Sequence, residues 1–330
     1  MKLRAIRSAV PDTLWSAEKV SELIGAEPEF ITKKVGAAER YILGPDETGT
    51  DLSEKACLRL FEDTGLKPEQ VELLIVVTQT PDHGIPHNSA LLQARLDLPT
   101  TCAAFDVSLG CSGYVYALSI CKGLMATQSM TNAIIVTCDP YSKIMDKNDR
   151  GTMAVFGDGA TATWMSSEAG ADIGIADMGT DGSYGDHLIV KSGRGVAPIL
   201  SVHDEDVVTP EKDDARLHMY GRGIFNFVLG NVPKSLSNAL ELNNLSADDI
   251  DYYALHQGSF FMLSSLARRS RIPEEKMEYN IQKYANTVSS SVPMLIEGII
   301  ADGRAKPGTK ILTSGFGVGL SWATNILTFN

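Results

Sequence analysis

The sequence is short of the features that mark membrane, secreted and nucleic-acid-binding proteins. Its densest apolar runs, such as 73–77, are far too short to span a bilayer, and no apolar stretch of signal-peptide length precedes Pro11. Acidic residues outnumber basic ones, 41 to 29, and the net charge is −12 with no basic stripe against it. We therefore expect a cytoplasmic protein with neither a membrane nor a nucleic acid among its partners.

Cysteine is also scarce, and its spacing is uninformative about metals. The chain has five cysteines, an odd number, and none forms a CxxC pair. An odd count in a cytoplasmic chain argues against a disulfide framework. His83 and His87 stand beside prolines, which is weak support for a metal site. We expect no metal and no other bound cofactor.

The chain resembles itself over two halves. Three stretches of strand-like or Gly-rich sequence in the first half recur in the same order in the second: 66–77 and 245–255, 133–138 and 310–315, 156–164 and 316–327. Apolar strand runs without alternation indicate sheets covered by helices on both faces. We interpret the chain as a duplicated α/β unit with halves 1–170 and 171–330 and an insertion at about 183–220.

Cys111 lies where an apolar strand-like run passes through a glycine into a long apolar helix, in the segment 106–117 (DVSLGCSGYVYA). The free N–H groups and the dipole of a helix N-terminus favour a negative charge. This position predicts a lowered thiol pKa and a nucleophilic thiolate. The alternative is that Cys111 is simply a small buried residue.

Two further residues are candidates to act with this cysteine. Of the six histidines, only His256 directly follows a strand-like run, a position from which α/β enzymes present catalytic groups. Asn286 precedes a run of serines that leads into a helix over 292–301, so its ordinary role would be to cap that helix. In the duplicated arrangement this helix start corresponds to the one at Cys111. The repeat therefore predicts that Cys111, His256 and Asn286 converge.

Four motifs together carry a resemblance to a known family. They are Cys111 in DVSLGCSGYVYAL, His256 in ALHQG, Asn286 in YANTVSSSVP and the terminal GFGVGLSWAT. In order and spacing, and over nearly the whole chain, they resemble the β-ketoacyl-acyl-carrier-protein synthase III family of thiolase-fold enzymes. The resemblance implies an α/β thiolase-like fold of two duplicated βαβ-type halves, layered α-β-α-β-α.

The resemblance also implies a reaction in two steps. Cys111 takes an acyl group from acyl-CoA, and a malonyl thioester, on a carrier protein or on CoA, then loses CO₂ and attacks that acyl group. His256 and Asn286 would stabilise the enolate. The backbone N–H groups of Cys111 and Val318 would hold the acyl oxyanion. Val318 stands where the family usually has glycine.

Other positions are implied to hold acyl-CoA. Arg150 and Gly151 match a segment that helps to hold the CoA nucleotide. Phe30 and Lys34 match positions that usually carry Trp and Arg against the adenine. Phe30 can still stack, though with less area, and Lys34 keeps the positive charge but lacks the bidentate guanidinium of arginine. An ordinary amphipathic helix is the alternative interpretation of 29–34.

The acyl pocket and the assembly follow from the same resemblance. Gly221 matches a position that leaves room beside the acyl channel. Ile85 lies in a loop that lends a pocket residue to the neighbouring subunit, so a homodimer is expected.

Two departures follow His256. Ser259 replaces an asparagine, and Phe261 replaces an arginine associated with carrier-protein or CoA-phosphate contact. A patch formed by Arg268, Arg269 and Arg271 is an alternative contact for an acidic carrier protein, or else a solvated helix end. The departures favour a specialised relative over the general initiator of fatty-acid synthesis.

Two other functions stay open at this point. One is acyl transfer without condensation, to an alcohol or amine of secondary metabolism. The other is a non-enzymatic partner subunit that has kept the fold.

Overall fold

Strands and helices alternate through the first half of the chain. The computed structural model describes residues 1–192 and 215–330. The strands up to residue 170 are β1 (Lys2–Ala9), β2 (Thr13–Ser16), β3 (Glu39–Ile42), β4 (Leu73–Val77), β5 (Ala103–Val107), β6 (Asn132–Cys138) and β7 (Ala160–Ser166). The helices are α1 (Ala17–Ile24), α2 (Gly49–Thr64), α3 (Asn88–Arg95), α4 (Gly113–Thr127) and α5 (Arg150–Met153).

The second half continues the alternation. Its strands are β8 (Ala171–Ile173), β9 (Asp177–Thr180), β10 (Leu188–Val190), β11 (Leu217–Met219), β12 (Tyr252–Leu255), β13 (Lys310–Gly317) and β14 (Ser321–Thr328). Its helices are α6 (Gly221–Leu242), α7 (Phe260–Ser270), α8 (Ile281–Tyr284) and α9 (Ser291–Ala301). The expected insertion at 183–220 includes β10 and β11, which pair with each other, while its residues 193–214 lie outside the described part.

The strand order repeats outward from the middle of one ten-stranded sheet, in which β1 and β8 are central neighbours. On one side the order is β1-β7-β6-β4-β5, and on the other it is β8-β14-β13-β12; the tenth strand, β9, pairs with β14 off this path. Both sides begin with two antiparallel pairings; two parallel pairings follow on the first side and one on the second. An isolated parallel bridge between Tyr253 and Met277 takes the place of β5 beside β12. The boundary at residue 170 stays a prediction.

Both faces of the sheet are covered, as the unalternating strand runs predict. In β4 every residue is buried. Leu73, Ile75 and Val77 face a core shared with α4 and α9, whereas Leu74 and Val76 face a second core with α2 and α3. Each such side chain contributes about 1.5–3 kcal/mol on full burial.

Helices α4 and α9 form the middle layer, because their apolar residues share one core with strands of both halves. Helices α2 and α3 cover the outer face of the first half, and α6 and α7 cover that of the second. Each half of the sheet therefore forms its own layer, with α4 and α9 between the two, and the order of layers is α-β-α-β-α. The fold expected from the sequence is confirmed. In the described residues no helix combines the length and apolarity needed to cross a membrane.

Local sequence explains the placement of α4 and the start of α2. A Cβ on Gly113 would lie 2.4 Å from Val77 Cγ1, so a glycine at the start of α4 lets this helix lie directly on β4. In α2 a capping box fixes the first turn, since Thr48 Oγ1 accepts from Asp51 N at 3.2 Å and Asp51 Oδ2 accepts from Thr48 N at 2.7 Å.

Candidate active site

Cys111 lies in the connection between β5 and α4, packed against strand β13. A Cβ on Gly315 would lie 2.4 Å from the Cys111 carbonyl oxygen, and one on Gly317 would lie 2.8 Å from Sγ. Gly317 also has φ +154°, a conformation that side chains rarely adopt. The two glycines of β13 therefore make the space in which the cysteine sits, and any larger residue at 317 would collide with the thiol.

The thiol environment differs from the one expected at a helix N-terminus. Cys111 is 4% exposed, and burial, followed by the charge of Asp139, raises the pKa of its thiol to about 12. Backbone N–H groups of Val318 and Cys111 act in the opposite direction but do not outweigh desolvation. The predicted lowering of the thiol pKa is therefore wrong. Helix α4 begins only at Gly113, so its end is a weaker influence than burial.

His256 follows β12 directly and is held from both sides. Its backbone N–H donates to Ser314 O at 2.8 Å, and the ring of Phe316 meets the imidazole edge-on at 5.5 Å. Nδ1 lies 2.8 Å from Ser291 Oγ, whose hydroxyl donates to Val288 O at 3.0 Å. The serine therefore accepts from Nδ1–H, which leaves Nε2 as the proton acceptor of the ring. Burial lowers the pKa of His256 to about 3, so the ring is neutral.

Asn286 is fixed through its backbone and its side chain. Its N–H donates to Val155 O at 3.1 Å and its carbonyl accepts from Gly157 N at 3.0 Å. The side-chain oxygen accepts from Val288 N at 2.9 Å, so the amide nitrogen is the donor that remains for a ligand. Asn286 does not cap α9, which begins at Ser291 after a short 3₁₀ turn over Val288–Ser290.

One cavity of about 410 Å³ brings the three candidates together. Cys111, His256 and Asn286 all contribute to its wall, and most of the remaining wall is apolar. The apolar part includes Val155, Phe156, Leu188, Met219, Ile224, Phe225, Val228, Phe261, Met262 and Phe316. A thiol, a neutral imidazole and a carboxamide thus share a largely apolar space. Their catalytic roles stay predictions.

The turn after β13 places a second backbone donor beside the thiol. The Val318 N–H acts on Sγ, as described above, so the β-branched residue does not displace the turn. Ser321 Oγ donates to Val318 O at 2.8 Å and lies 2.8 Å from Ser112 Oγ, which ties the turn to the residue after Cys111. The arrangement is consistent with an oxyanion hole formed by Cys111 and Val318.

The residues expected to hold CoA lie at the surface. Phe30 is 47% exposed and begins a π-helix (Phe30–Val35) in place of an ordinary amphipathic α-helix. The Lys34 ammonium lies 5.5 Å from the centre of the Phe261 ring, within cation–π range. Arg150 donates to Gly25 O at 2.7 Å, and Gly151 N donates to Asp149 Oδ1 at 2.8 Å. Their contacts with CoA stay predictions.

The two acyl-pocket candidates lie in different places. Gly221 starts α6, contributes to the cavity wall and has open space where a Cβ would be. Ile85 is 91% exposed and does not contribute to this wall. Its loop is anchored, because the Asp82 carboxylate accepts from Gly49 N at 3.0 Å and from Thr50 N at 3.2 Å. Whether Ile85 enters a neighbouring subunit stays a prediction.

The two departures after His256 have local explanations. Ser259 caps α7, its Oγ accepting from Met262 N at 3.2 Å. Phe261 is 53% exposed and stacks on Phe225 with ring centres 5.4 Å apart and planes at 17°. Of the three arginines further along, Arg269 donates to Leu229 O at 2.8 Å. A basic patch here stays a prediction.

Sequence reasoning missed several residues that shape the site. Ser291 was visible only as part of a serine run, and its bond to His256 joins residues 35 positions apart. Phe225 carries no signal of its own, since ring stacking appears only in three dimensions, and Gly317 was visible only as part of the motif GFGVGLSWAT. Arg40 carried one signal. Burial alternates along the strand Glu39–Ile42, and this cation occupies one of the buried positions.

Among the described residues, no group of three or more His, Cys, Asp or Glu side chains is arranged to hold a metal ion. The five layers, with the cavity where Cys111, His256 and Asn286 meet, are the architecture of the thiolase-fold enzymes. The 3-oxoacyl-[acyl-carrier-protein] synthase III model matches residues 105–182, and the C-terminal model of the same enzyme matches 240–329.

Individual relatives span nearly the whole chain. The β-ketoacyl-[acyl-carrier-protein] synthase III of Lactococcus lactis subsp. lactis is 33% identical over 99% of this chain and 98% of its own. The chain belongs to the β-ketoacyl-acyl-carrier-protein synthase III family. The 3-oxoacyl-(acyl-carrier protein) synthase of Burkholderia xenovorans is 33% identical, with a TM-score of 0.90 over 100% of this chain and 94% of that one. The priming β-ketosynthase of the R1128 polyketide pathway is 27% identical, with a TM-score of 0.89 over 99% and 96%.

Proposed function

We propose that this protein is a 3-oxoacyl synthase primed by acyl-CoA. It transfers an acyl group to Cys111 and then performs a decarboxylative Claisen condensation with a malonyl thioester. The observation that carries the proposal is the shared cavity, where a thiol, a neutral imidazole and an amide donor meet in an apolar wall. The matches to β-ketoacyl-[acyl-carrier-protein] synthase III enzymes, which extend over nearly the whole chain, support the proposal.

The first step forms a thioester on Cys111. Because burial keeps the thiol protonated, its proton passes to Nε2 of His256 as sulfur attacks the acyl-CoA carbonyl. The oxyanion that develops accepts from the N–H groups of Cys111 and Val318. The carbon–sulfur bond to CoA then breaks, and the CoA thiolate leaves with the proton from the imidazole.

The second step uses the amide of Asn286. A malonyl thioester loses CO₂, and the negative charge collects on its thioester oxygen as an enolate. Asn286 Nδ2 and His256 Nε2–H donate to that oxygen while the enolate carbon attacks the Cys111 thioester. The carbon–sulfur bond to Cys111 then breaks, the 3-oxoacyl thioester is released, and Sγ leaves as a thiolate that takes a proton from solvent. Once CoA has left, the neutral ring gives up its Nδ1 proton and takes one on Nε2 by exchange with solvent. Ser291 Oγ, which accepts from Nδ1–H in the first step, then donates to Nδ1 in the second.

The partners of the reaction follow from the same proposal. Acyl-CoA is the donor, held by Phe30, Lys34, Arg150 and Gly151, and the acceptor is a malonyl group on a carrier protein or on CoA. The enzyme acts as a homodimer, with Ile85 reaching the acyl pocket of the neighbouring copy. A cytoplasmic location accords with five cysteines that are all unpaired.

One observation favours a second candidate function, acyl transfer to an alcohol or amine without condensation. The stacked pair of Phe225 and Phe261 gives the cavity mouth an apolar surface where a carrier phosphate would meet an arginine in related enzymes. Asn286 argues against this function, since simple acyl transfer forms no enolate.

A panel of acyl-CoAs followed by malonyl donors tests the proposal. We expect one or more acyl-CoAs to add their acyl mass to Cys111, and malonyl-carrier protein or malonyl-CoA then to release CO₂ and free the thiol. Intact-protein mass and peptide mapping measure the first step, and labelled CO₂ measures the second. An acyl-enzyme that releases no CO₂ with either donor, yet passes its acyl group to alcohols or amines, would contradict condensation.

The pH dependence of the thiol gives a separate prediction. With a thiol pKa of about 12, the thiolate fraction grows with pH throughout the neutral range. Alkylation of Cys111 by iodoacetamide should therefore rise about tenfold per pH unit from pH ~7 to ~9. Acylation by acyl-CoA should stay nearly level from pH ~5 to ~8, since neither thiol nor imidazole changes charge there. If the alkylation rate of Cys111 instead levels off already below neutral pH, the thiol pKa is lowered and this prediction is wrong.

A further inference from the structure

Arg40 is a buried cation near the cavity, and the proposed chemistry does not use it. It lies in β3 and is 1% exposed. Burial lowers the pKa of its guanidinium to about 10, so the fold holds this charge against a desolvation cost. A cation buried at such a cost raises the question of what its hydrogen bonds hold in place.

The hydrogen bonds of Arg40 converge on one turn. Nη1 donates to Met153 O at 2.8 Å and to Phe156 O at 3.2 Å, and Nη2 donates to Ala154 O at 3.0 Å. This turn joins the end of α5 to β7. The guanidinium is a rigid planar fork, so carbonyls bound to it are fixed in position relative to one another.

The same turn holds the backbone of Asn286. The carbonyl of Val155 and the N–H of Gly157 bond the N–H and carbonyl of Asn286, at 3.1 and 3.0 Å. Val155 lies between Ala154 and Phe156, whose carbonyls Arg40 binds, and Gly157 follows Phe156 directly. Gly157 also lies against the residue two before Asn286, since a Cβ on it would be 2.6 Å from Tyr284 O.

A reciprocal contact fixes the other side of β3. The Asp158 carboxylate accepts from Leu43 N at 2.8 Å, and the Asp158 N–H donates to Tyr41 O at 2.8 Å. Arg40 and Asp158 therefore tie β3 and the segment 153–158 together from opposite directions. Any shift in this segment would move the two backbone bonds of Asn286.

We propose that Arg40 is a positioning residue for Asn286. By holding the carbonyls of the turn it fixes the backbone bonds that set where the Asn286 amide points. The proposal rests on the proposed function, in which Asn286 serves the condensation step and not the acylation of Cys111.

Two substitutions at Arg40 test this through the ratio of CO₂ release to acylation. Arg40→Lys keeps the cation but loses the planar fork, and Arg40→Met keeps length without charge. We expect acylation to change less than about threefold in both, while the ratio falls about tenfold in Arg40→Lys and about a hundredfold in Arg40→Met. If Arg40→Met does not fold, Arg40→Lys decides the outcome.

A matched control separates positioning from general loss of stability. Leu60→Ala opens the core under α2, away from the cavity, and should lower the melting temperature without changing the ratio. An unchanged ratio in Arg40→Lys, or losses in both steps that match Leu60→Ala, would overturn the proposal.

Combining Arg40→Lys with Asn286→Ala shows which proposed role is wrong, that of Arg40 or that of Asn286. There, Arg40→Lys should cause no further loss of CO₂ release, because the group it positions is gone. If Asn286→Ala alone keeps full CO₂ release, the role assigned to Asn286 is wrong. If Asn286→Ala loses CO₂ release and Arg40→Lys does not, only the role of Arg40 is wrong.

Discussion

Cys111→Ala should abolish covalent acylation by every acyl-CoA that labels the wild-type protein. In the proposed function the thiol is the nucleophile of the first step, and among the described residues of the cavity wall no other side chain can form a comparable thioester. Removal of an enzyme's nucleophile commonly lowers turnover by about 10⁴-fold or more. We expect no acyl mass on the intact protein and a loss of condensation of at least that size.

The other cysteines provide the control. Cys57 is unpaired and buried in the core under α2, outside the cavity wall. Cys57→Ala should keep full acylation and lose only part of its stability, by about 1 kcal/mol for the lost volume. Acyl mass that persists in Cys111→Ala and maps to another cysteine would place the nucleophile elsewhere.

The sequence locates the cysteine but not its electrostatic environment. The strand–glycine–helix pattern around Cys111 predicts its position correctly, because that pattern depends on local chain geometry. The thiol pKa depends on burial by β13 and on Asp139, at the end of β6, and both are distant in sequence. Long-range desolvation therefore reverses a prediction that was made from the nearest helix end.

The same difference between local and long-range interactions explains what could be predicted about His256 and Asn286. The repeat predicts that His256 and Asn286 belong near Cys111, because equivalent strands of a duplicated fold end at equivalent places. Which atoms they present depends on Ser291 and on the turn around Val288, whose contacts no periodicity encodes. The surface residues Phe30 and Lys34 were predicted by family resemblance alone, and their neighbours in the folded chain were not.

Asn286→Ala should separate the two steps of the reaction. Acylation of Cys111 needs only the thiol, the imidazole and backbone donors, so its rate should stay within about threefold of wild type. In the proposed function CO₂ release needs the amide donor at the enolate oxygen, and loss of one such donor costs about 10²–10³-fold. Mass spectrometry of the acyl-enzyme and release of labelled CO₂ from malonyl thioesters measure the two rates separately.

Asn286→Asp sharpens this test, because Asn286 has two functions in the fold. Its Oδ1 accepts from Val288 N at 2.9 Å, so alanine removes a structural bond together with the proposed catalytic donor. Aspartate keeps an acceptor for Val288 and replaces the NH₂ donor with a carboxylate oxygen, which adds a negative charge beside the enolate. We expect Asn286→Asp to lose CO₂ release at least as fully as Asn286→Ala, although the bond to Val288 N is kept. If aspartate instead retains CO₂ release, the amide acts through Val288 and the enolate is stabilised by His256 alone.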